Sequence, residues 1–195
     1  MKKISLLLMC SMLIACSSKT IDYSTVSTFD EDDNLRAVIE IPVGTNDKIE
    51  YRPEENKFEI DSLDGQPRVI QFLSYPVNYG FIPSTSVNAE NDEDPLDVLV
   101  FSKPLKTGQM IGVKPIGILK MLDQGEQDDK VFCVPIESKY QIININDFND
   151  LSQNHPEIRN MISQWFLSYD RASKIQIIGW FDEGKALSVI NSLQL

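Results

Sequence analysis

The chain has 195 residues, with 29 Asp and Glu against 18 Lys and Arg, a formal net charge of −11 and 42% hydrophobic residues. Such acidity excludes a protein that grips nucleic-acid backbones, because that affinity rests on lysines and arginines neutralising phosphates. A small polyanion remains admissible as a substrate where divalent cations lie between it and the carboxylates.

The first sixteen residues read MKKISLLLMCSMLIAC. Lys2 and Lys3, a short apolar run and the ending Leu13, Ile14, Ala15, Cys16 mark an export signal, too short for a permanent membrane span. The segment resembles a bacterial lipoprotein signal. That resemblance implies cleavage before Cys16, acylation of Cys16, and a mature chain tethered in the cell envelope, facing the periplasm or the exterior. More than one acyl chain makes such an anchor durable. The expected divisions are residues 1–15 as signal peptide, 16–34 as lipidated cysteine and flexible tether, and 35–195 as one folded domain. Cleavage leaves 180 residues and a charge of −13, since Lys2 and Lys3 leave with the signal. That length suffices to bury roughly 70% of the unfolded surface in one domain. Cys10 also leaves and Cys16 is acylated, so Cys133 stands alone and no disulfide framework forms. In KVFCVPI, Cys133 reads as a small buried hydrophobe.

After the polar run 17–34, strand-like segments follow one another: LRAVIEIP, KIEYR and NKFEID around the charged turn RPEEN, then RVIQFL. Beyond the aromatic turn YPVNYGFIP come LDVLVF, MIGVKPIGILKML, KVFCVPI and IQIIGWF. One helix is well marked in NHPEIRNMISQWFLSYD, with Asn154 as a possible cap, Pro156 in the first turn, and a stripe of Ile158, Met161, Ile162, Trp165, Phe166 and Tyr169. The stripe reads as core packing for all but Tyr169, and a second helix is expected within FDEGKALSVINSLQL. The only histidine, His155, stands in the cap region, so neither a histidine-rich metal site nor a Ser-His-Asp triad can be assembled. Short strands with few helices predict a mainly β, α+β fold, a small barrel-like core with helices outside.

Three groups of residues could carry chemistry. Asp92, Asp94 and Asp97 crowd the start of LDVLVF, with Pro95 stiffening the link. They are either a solvated acidic run or a site where a hard cation relieves the repulsion, Mg²⁺ preferring carboxylate and water oxygens. Asp123, Glu126, Asp128 and Asp129 crowd a glycine-containing turn that ends at Lys130, which is either a charged hairpin or part of a shared cation site. The spacing is not that of an EF-hand loop. Glu40, Lys48 and Glu50 interrupt strands and line either a wet sheet face or a barrel mouth. Tyr75 and Tyr79 are either core residues or anion donors.

In this order, VIEIP, TNDKIE, YPVNYGFIP, DEDPLDVLV, LKMLDQGEQDDK and WFLSYD resemble the soluble Mg²⁺-dependent inorganic pyrophosphatases, from about Leu35 to the C-terminus. The resemblance implies a five-stranded OB-like barrel with flanking helices and makes 35–195 a pyrophosphatase-like catalytic domain. It implies hydrolysis of diphosphate by a metal-bridged water, with several Mg²⁺ ions, or Mn²⁺ or another divalent ion in their place. By the same resemblance Asp92, Asp97 and Asp128 are ligands of the tightly held metals, Asp123 of a metal arriving with substrate, and Glu50 a weaker contributor. Asp94 is implied as general base, Glu40 as support for the metal and water network, and Tyr75 as part of the pocket wall. Lys48, Arg68, Tyr79, Lys130 and Tyr169 are implied as phosphate contacts. The implied partners are diphosphate with Mg²⁺, a membrane through the lipid anchor only, and further copies of the chain in a homo-oligomer.

The pattern departs from the family at three places. Tyr169 is followed by Asp170 and Arg171 where the family usually has lysine, Arg68 is about one residue off its usual spacing from Tyr75, and Gln124 stands at a position often acidic. The alternatives kept open are a hydrolase of another extracytoplasmic polyphosphate or phosphate ester, and a non-catalytic module that binds a metal-phosphate complex.

Overall fold

The computed structural model of the chain describes residues 21–87, 94–170 and 173–195. Asp92, Arg171, Cys16 and the whole export signal lie outside the described residues. From Ile21 the polar stretch lies against the fold: a 3-10 turn over Tyr23–Thr25 buries Tyr23, and Thr28 is fully buried with its hydroxyl donating to the Pro83 carbonyl.

The first strands match the expected segments, β1 at Leu35–Ile41, β2 at Ile49–Arg52 and β3 at Lys57–Ile60. The turn between β2 and β3 closes through Asn56 at φ 47, a left-handed position that asparagine tolerates better than most residues. RVIQFL forms no strand; its place is taken by the ribbon of β4 (Ser62–Leu63) and β5 (Gln66–Pro67), followed by irregular chain to Ser74. Exposure of Val69, Phe72 and Leu73 accords with that, since a strand buried on one face would have hidden alternate residues.

β6 (Asn78–Phe81), β7 (Asp97–Val100), β8 (Met110–Asp123), β9 (Glu126–Gln127), β10 (Lys130–Pro135) and β11 (Gln176–Asp182) complete the strands. The main sheet has seven strands in the order β1-β6-β7-β10-β8-β11, with β9 paired to β8 and β1 reaching β8 as well as β6. The expectation of a five-stranded OB-like barrel is therefore corrected to a seven-stranded sheet of mixed α+β class that branches at β8. The physical reason is the length of β8: its 14 residues pair with β1 over Met110–Val113 and with β10 and β11 farther along. Pro115, which lacks a donor, stands in the stretch of β8 where the β10 register shifts between Phe132 and Cys133. β1 and β6 approach so closely that a Cβ at Gly80 would collide with the Val38 carbonyl, which accounts for glycine there.

The expected late helix is α2 over Pro156–Phe166, beginning at the proline, and a further helix, α1 over Phe148–Asn154, precedes it. Asn154 ends α1 rather than capping α2; its amide is bonded to Asp150, and His155 stands at the junction ahead of Pro156. Ile158, Ile162, Trp165 and Phe166 are buried as the stripe predicts, whereas Met161 is 43% exposed. The closing helix α3 runs Glu183–Leu193, capped by Asp182, and its Ala186 and Ile190 join the core under β8.

Candidate active site

The site begins with two strands that run side by side. β7 and β10 are parallel, and their register sets Lys130 opposite Asp97. Between β8 and β9 the chain turns through Gln124 (φ 53) and Gly125 (φ 96), and the Asp128 amide donates to the Met121 carbonyl at 3.0 Å. This return brings the Asp128 side chain beside that of Lys130 at the entrance to β10. The outcome is a buried ammonium: Lys130 Nζ is bonded to both Asp97 and Asp128. Burial works to lower the Lys130 pKa, but the two carboxylates hold it above the ordinary lysine range.

Aromatic residues wall this cluster. Lys130 Nζ lies 5.8 Å from the centre of the Tyr79 ring, and the Tyr79 hydroxyl is hydrogen-bonded to Asp97. Burial, reinforced by the charges of Asp97 and Asp128, keeps that phenol far from ionising. Trp165 stands between two further tyrosines, with ring centres 4.7 Å from Tyr75 and 4.7 Å from Tyr169. Its indole N–H donates to the Leu73 carbonyl at 2.9 Å, which fixes the ring. Burial, with Asp123, Asp128 and Asp170 nearby, pushes the Tyr169 phenol up to about 12. All three tyrosines are therefore neutral hydroxyl donors near pH 7.

Asp123 borders the same face. Burial and the neighbouring charge of Asp128 raise its pKa, and its Oδ1 is buried without a hydrogen-bond partner. Ser173 hydrogen-bonds Asp123 and donates to Asp170 Oδ2 at 3.2 Å, so Asp170 adds negative charge at this edge. Asp94 is exposed and lies ahead of β7, where its carbonyl accepts from the Val87 amide at 3.0 Å.

A second group of charges adjoins the first. Lys48 Nζ bonds Glu50 at 2.5 Å, and Arg52 reaches Glu50 at 3.0 Å. Asp61 gathers Arg52 at 2.8 Å, Arg68 at 2.7 Å and Lys48 at 3.7 Å. Burial pushes the Asp61 carboxyl up, but Arg68 and Lys48 together hold it below the usual range. Glu40 lies between the two groups. It is 9% exposed and accepts the Tyr51 amide at 2.7 Å, and burial raises its pKa to about 8, with the charges of Asp97 and Glu50 adding to the rise. Lys48, Arg68, Tyr75 and Glu40 thus act on the same space as Asp97 and Tyr169.

Residues 37–194 match the family model described as Inorganic pyrophosphatase. The chain belongs to the inorganic pyrophosphatase family. It is 38% identical to the inorganic pyrophosphatase of Sulfolobus acidocaldarius over 168 residues, covering 84% of this chain and 89% of that one. The crystal structure of the Thermus thermophilus inorganic pyrophosphatase superposes with a TM-score of 0.75 at 30% identity, covering 89% of this chain and 97% of that one. A truncated Trypanosoma cruzi vacuolar soluble pyrophosphatase, solved in complex with PPi, superposes at 0.77 with 26% identity, covering 87% and 74%.

The pyrophosphatase site suits a hard divalent cation by its donor chemistry. The Lys130 ammonium already stands between Asp97 and Asp128 as a cation would, and Asp123 presents a buried oxygen that nothing satisfies. Among the described residues no three carboxylates converge closely enough to enclose an ion unaided, and Asp92 lies outside them.

Of the residues singled out in the sequence, Glu40, Lys48, Glu50, Arg68, Tyr75, Tyr79, Asp97, Asp123, Asp128, Lys130 and Tyr169 come to this one face. Asp61, Arg52 and Trp165 belong with them and were missed. Asp61 ends the run NKFEID, and its three cations come from β2, its approach and the chain after β5, a convergence visible only in the fold. Trp165 is the core residue that the helix stripe predicts, and it also sets the spacing of two site tyrosines.

Proposed function

We propose that this chain hydrolyses inorganic diphosphate to two phosphates at the face shared by β7, β10 and the β8–β9 turn, as an Mg²⁺-dependent enzyme. The observation that carries the reading is the Asp97–Lys130–Asp128 cluster walled by neutral phenols, which offers carboxylate oxygens to metal ions and N–H and O–H donors to phosphate. Asp92, Asp97 and Asp128 would hold the tighter ions, with Asp123 and Glu50 contributing weaker ones. An ion held by these residues would supply positive charge to offset the phosphoryl oxygens and to acidify the attacking water.

The protein's own groups do the rest. Asp94 takes the proton of the attacking water, and its exposure leaves it reachable by solvent. Tyr79, Tyr169, Lys130, Lys48 and Arg68 bind phosphate oxygens and hold the leaving group in line. Tyr75 and Trp165 keep the phenols fixed, and Glu40, poised near neutrality, supports the water network. Positioning and charge stabilisation suffice for phosphoryl transfer to water, so no covalent enzyme intermediate is formed.

Phosphate release from diphosphate by the purified soluble fragment, with and without Mg²⁺, tests the reading. Release that needs Mg²⁺ and disappears in an Asp94→Asn/Asp97→Asn variant is expected. Equal release by that variant would refute it. We also infer a membrane-tethered envelope protein, supported by the signal-like sequence ending at Cys16, and labelling with a fatty-acid analogue that requires Cys16 checks this. Self-association is part of the same proposal. Exposed Leu63, Phe72 and Leu73 supply apolar surface for it, and sedimentation measures it.

A further inference from the structure

Behind the metal face lies a second ion pair that the reaction does not use. Asp129 sits between Asp128 and Lys130, just ahead of β10, and turns away from the Lys130 cluster toward β8. There its Oδ2 is bonded to Lys120 Nζ, and it accepts from the Gln127 amide at 2.7 Å. The Asp129 side chain is 2% exposed and that of Lys120 18%. Oδ1 of Asp129 is buried without a partner. Beyond it the residue borders a cleft lined by Leu96, Gln127 and Val189.

Energetically this pair is a poor way to hold a sheet together. Removing two charges from water costs more than their attraction commonly returns, and apolar replacements of similar volume are often as stable. An unsatisfied buried oxygen adds to that cost. What the pair does provide is geometry. Lys120 is on β8 and Asp129 is at the mouth of β10, so their bond fixes how far the returning chain reaches before Lys130 enters the sheet opposite Leu119 and Asp97. Gln127, paired with Leu122, holds the same carboxylate from the turn side. A residue pinned by two bonds between Asp128 and Lys130 leaves both with one direction to face.

We propose that Asp129, through Lys120, is a positioning residue that sets Asp128 and Lys130 at the metal-binding face. This rests on the assignment of that face to Mg²⁺-dependent hydrolysis, and it extends the working parts of the site to the far side of the strand. Neither Asp129 nor Lys120 touches the reacting atoms.

The test uses three variants, Asp129→Asn, Lys120→Met, and the apolar pair Lys120→Met/Asp129→Leu. Each is compared with the unaltered protein by melting temperature and by calorimetric titration of the substrate-free protein with Mg²⁺. A positioning role predicts that Asp129→Asn and the apolar pair bind Mg²⁺ about 10-fold more weakly, as loss of outer-shell support commonly does, and that the apolar pair still melts as high as the parent. It also predicts a larger fall in kcat than rise in KM for diphosphate. Mg²⁺ affinity within 2-fold of the parent in a folded apolar-pair variant would overturn the proposal, and so would a loss of affinity only in variants that melt early. If Asp129→Asn fails to fold, the apolar pair alone decides. A parent protein that binds Mg²⁺ but releases no phosphate would instead refute the proposed activity, and the titrations would still decide the role of Asp129.

Discussion

The Glu40 carboxylate accepts the backbone N–H of Tyr51 at 2.7 Å while almost wholly removed from solvent. One hydrogen bond does not offset that burial, so its pKa stands at about 8 rather than near 4.5. The folded protein therefore holds this proton more tightly than the unfolded chain. Its contribution to stability is full below about pH 4.5, falls as pH rises, and is lost above about pH 8. In metal-free buffer, Glu40→Gln should lack this loss. Relative to the parent it should gain on the order of 2–5 kcal/mol between pH 5 and pH 8.5. Urea unfolding at several pH values measures the difference, and parallel curves for the two proteins would contradict it.

Lys130 gives a prediction of opposite dependence on metal. Removing its ammonium by Lys130→Met leaves the partly exposed carboxylates of Asp97 and Asp128 facing each other with no cation between them. The metal-free variant should lose about 1–3 kcal/mol, from the lost charge-assisted hydrogen bonds and the repulsion of two carboxylates that water only partly screens. Mg²⁺ should restore part of this, so that the metal raises the melting temperature of the variant more than that of the parent. Equal metal-induced shifts would mean that the carboxylates and the ion do not meet.

Asp170 shares Ser173 with Asp123 and adds negative charge beside Tyr169. Asp170→Lys should lower the Michaelis constant for diphosphate by roughly 3- to 10-fold, the worth of one partly screened charge contact. Steady-state kinetics at fixed free Mg²⁺ reads it directly. An unchanged constant would show that the substrate does not approach this edge.

Trp165 fills the space between Tyr75 and Tyr169 and anchors Leu73. Trp165→Ala should cost about 3–5 kcal/mol of stability, as truncation of a buried aromatic does. Trp165→Phe should keep most of the stability but free the Leu73 carbonyl, raising KM more than it lowers kcat. Thermal melting alongside kinetics separates the two effects.

Much of this was legible in the sequence, for identifiable reasons. β1, β7 and β10 announce themselves because a strand buried on both faces reads as an apolar run; Glu40 and Asp97 interrupt such runs and Lys130 opens one. Asp97 and Lys130 could be marked as candidates, but nothing local says that they face each other, because a parallel pair carries no turn to fix its register. The apolar letters of RVIQFL predict a strand that tertiary structure does not supply; Asn46 and Lys48 take the backbone bonds of Ile70 and Arg68 instead. The pattern around α2 marks its buried stripe and its start at Pro156, whereas α1 goes unread, since its seven residues bury only Leu151 and carry no apolar stripe. The expected barrel failed at β8, whose length lets a single strand serve several neighbours.

The parallel pairing of β7 and β10 also governs when the catalytic face can exist. Asp97 and Lys130 are 33 positions apart with the whole of β8 between them in the chain, so no hairpin-sized fragment can bring them together. Contacts of such sequence separation form slowly, because the loop must close before the pairing rewards it. Recovery of diphosphate hydrolysis after dilution from denaturant should therefore lag behind the return of local structure, making the enzyme its own clock for the completion of folding.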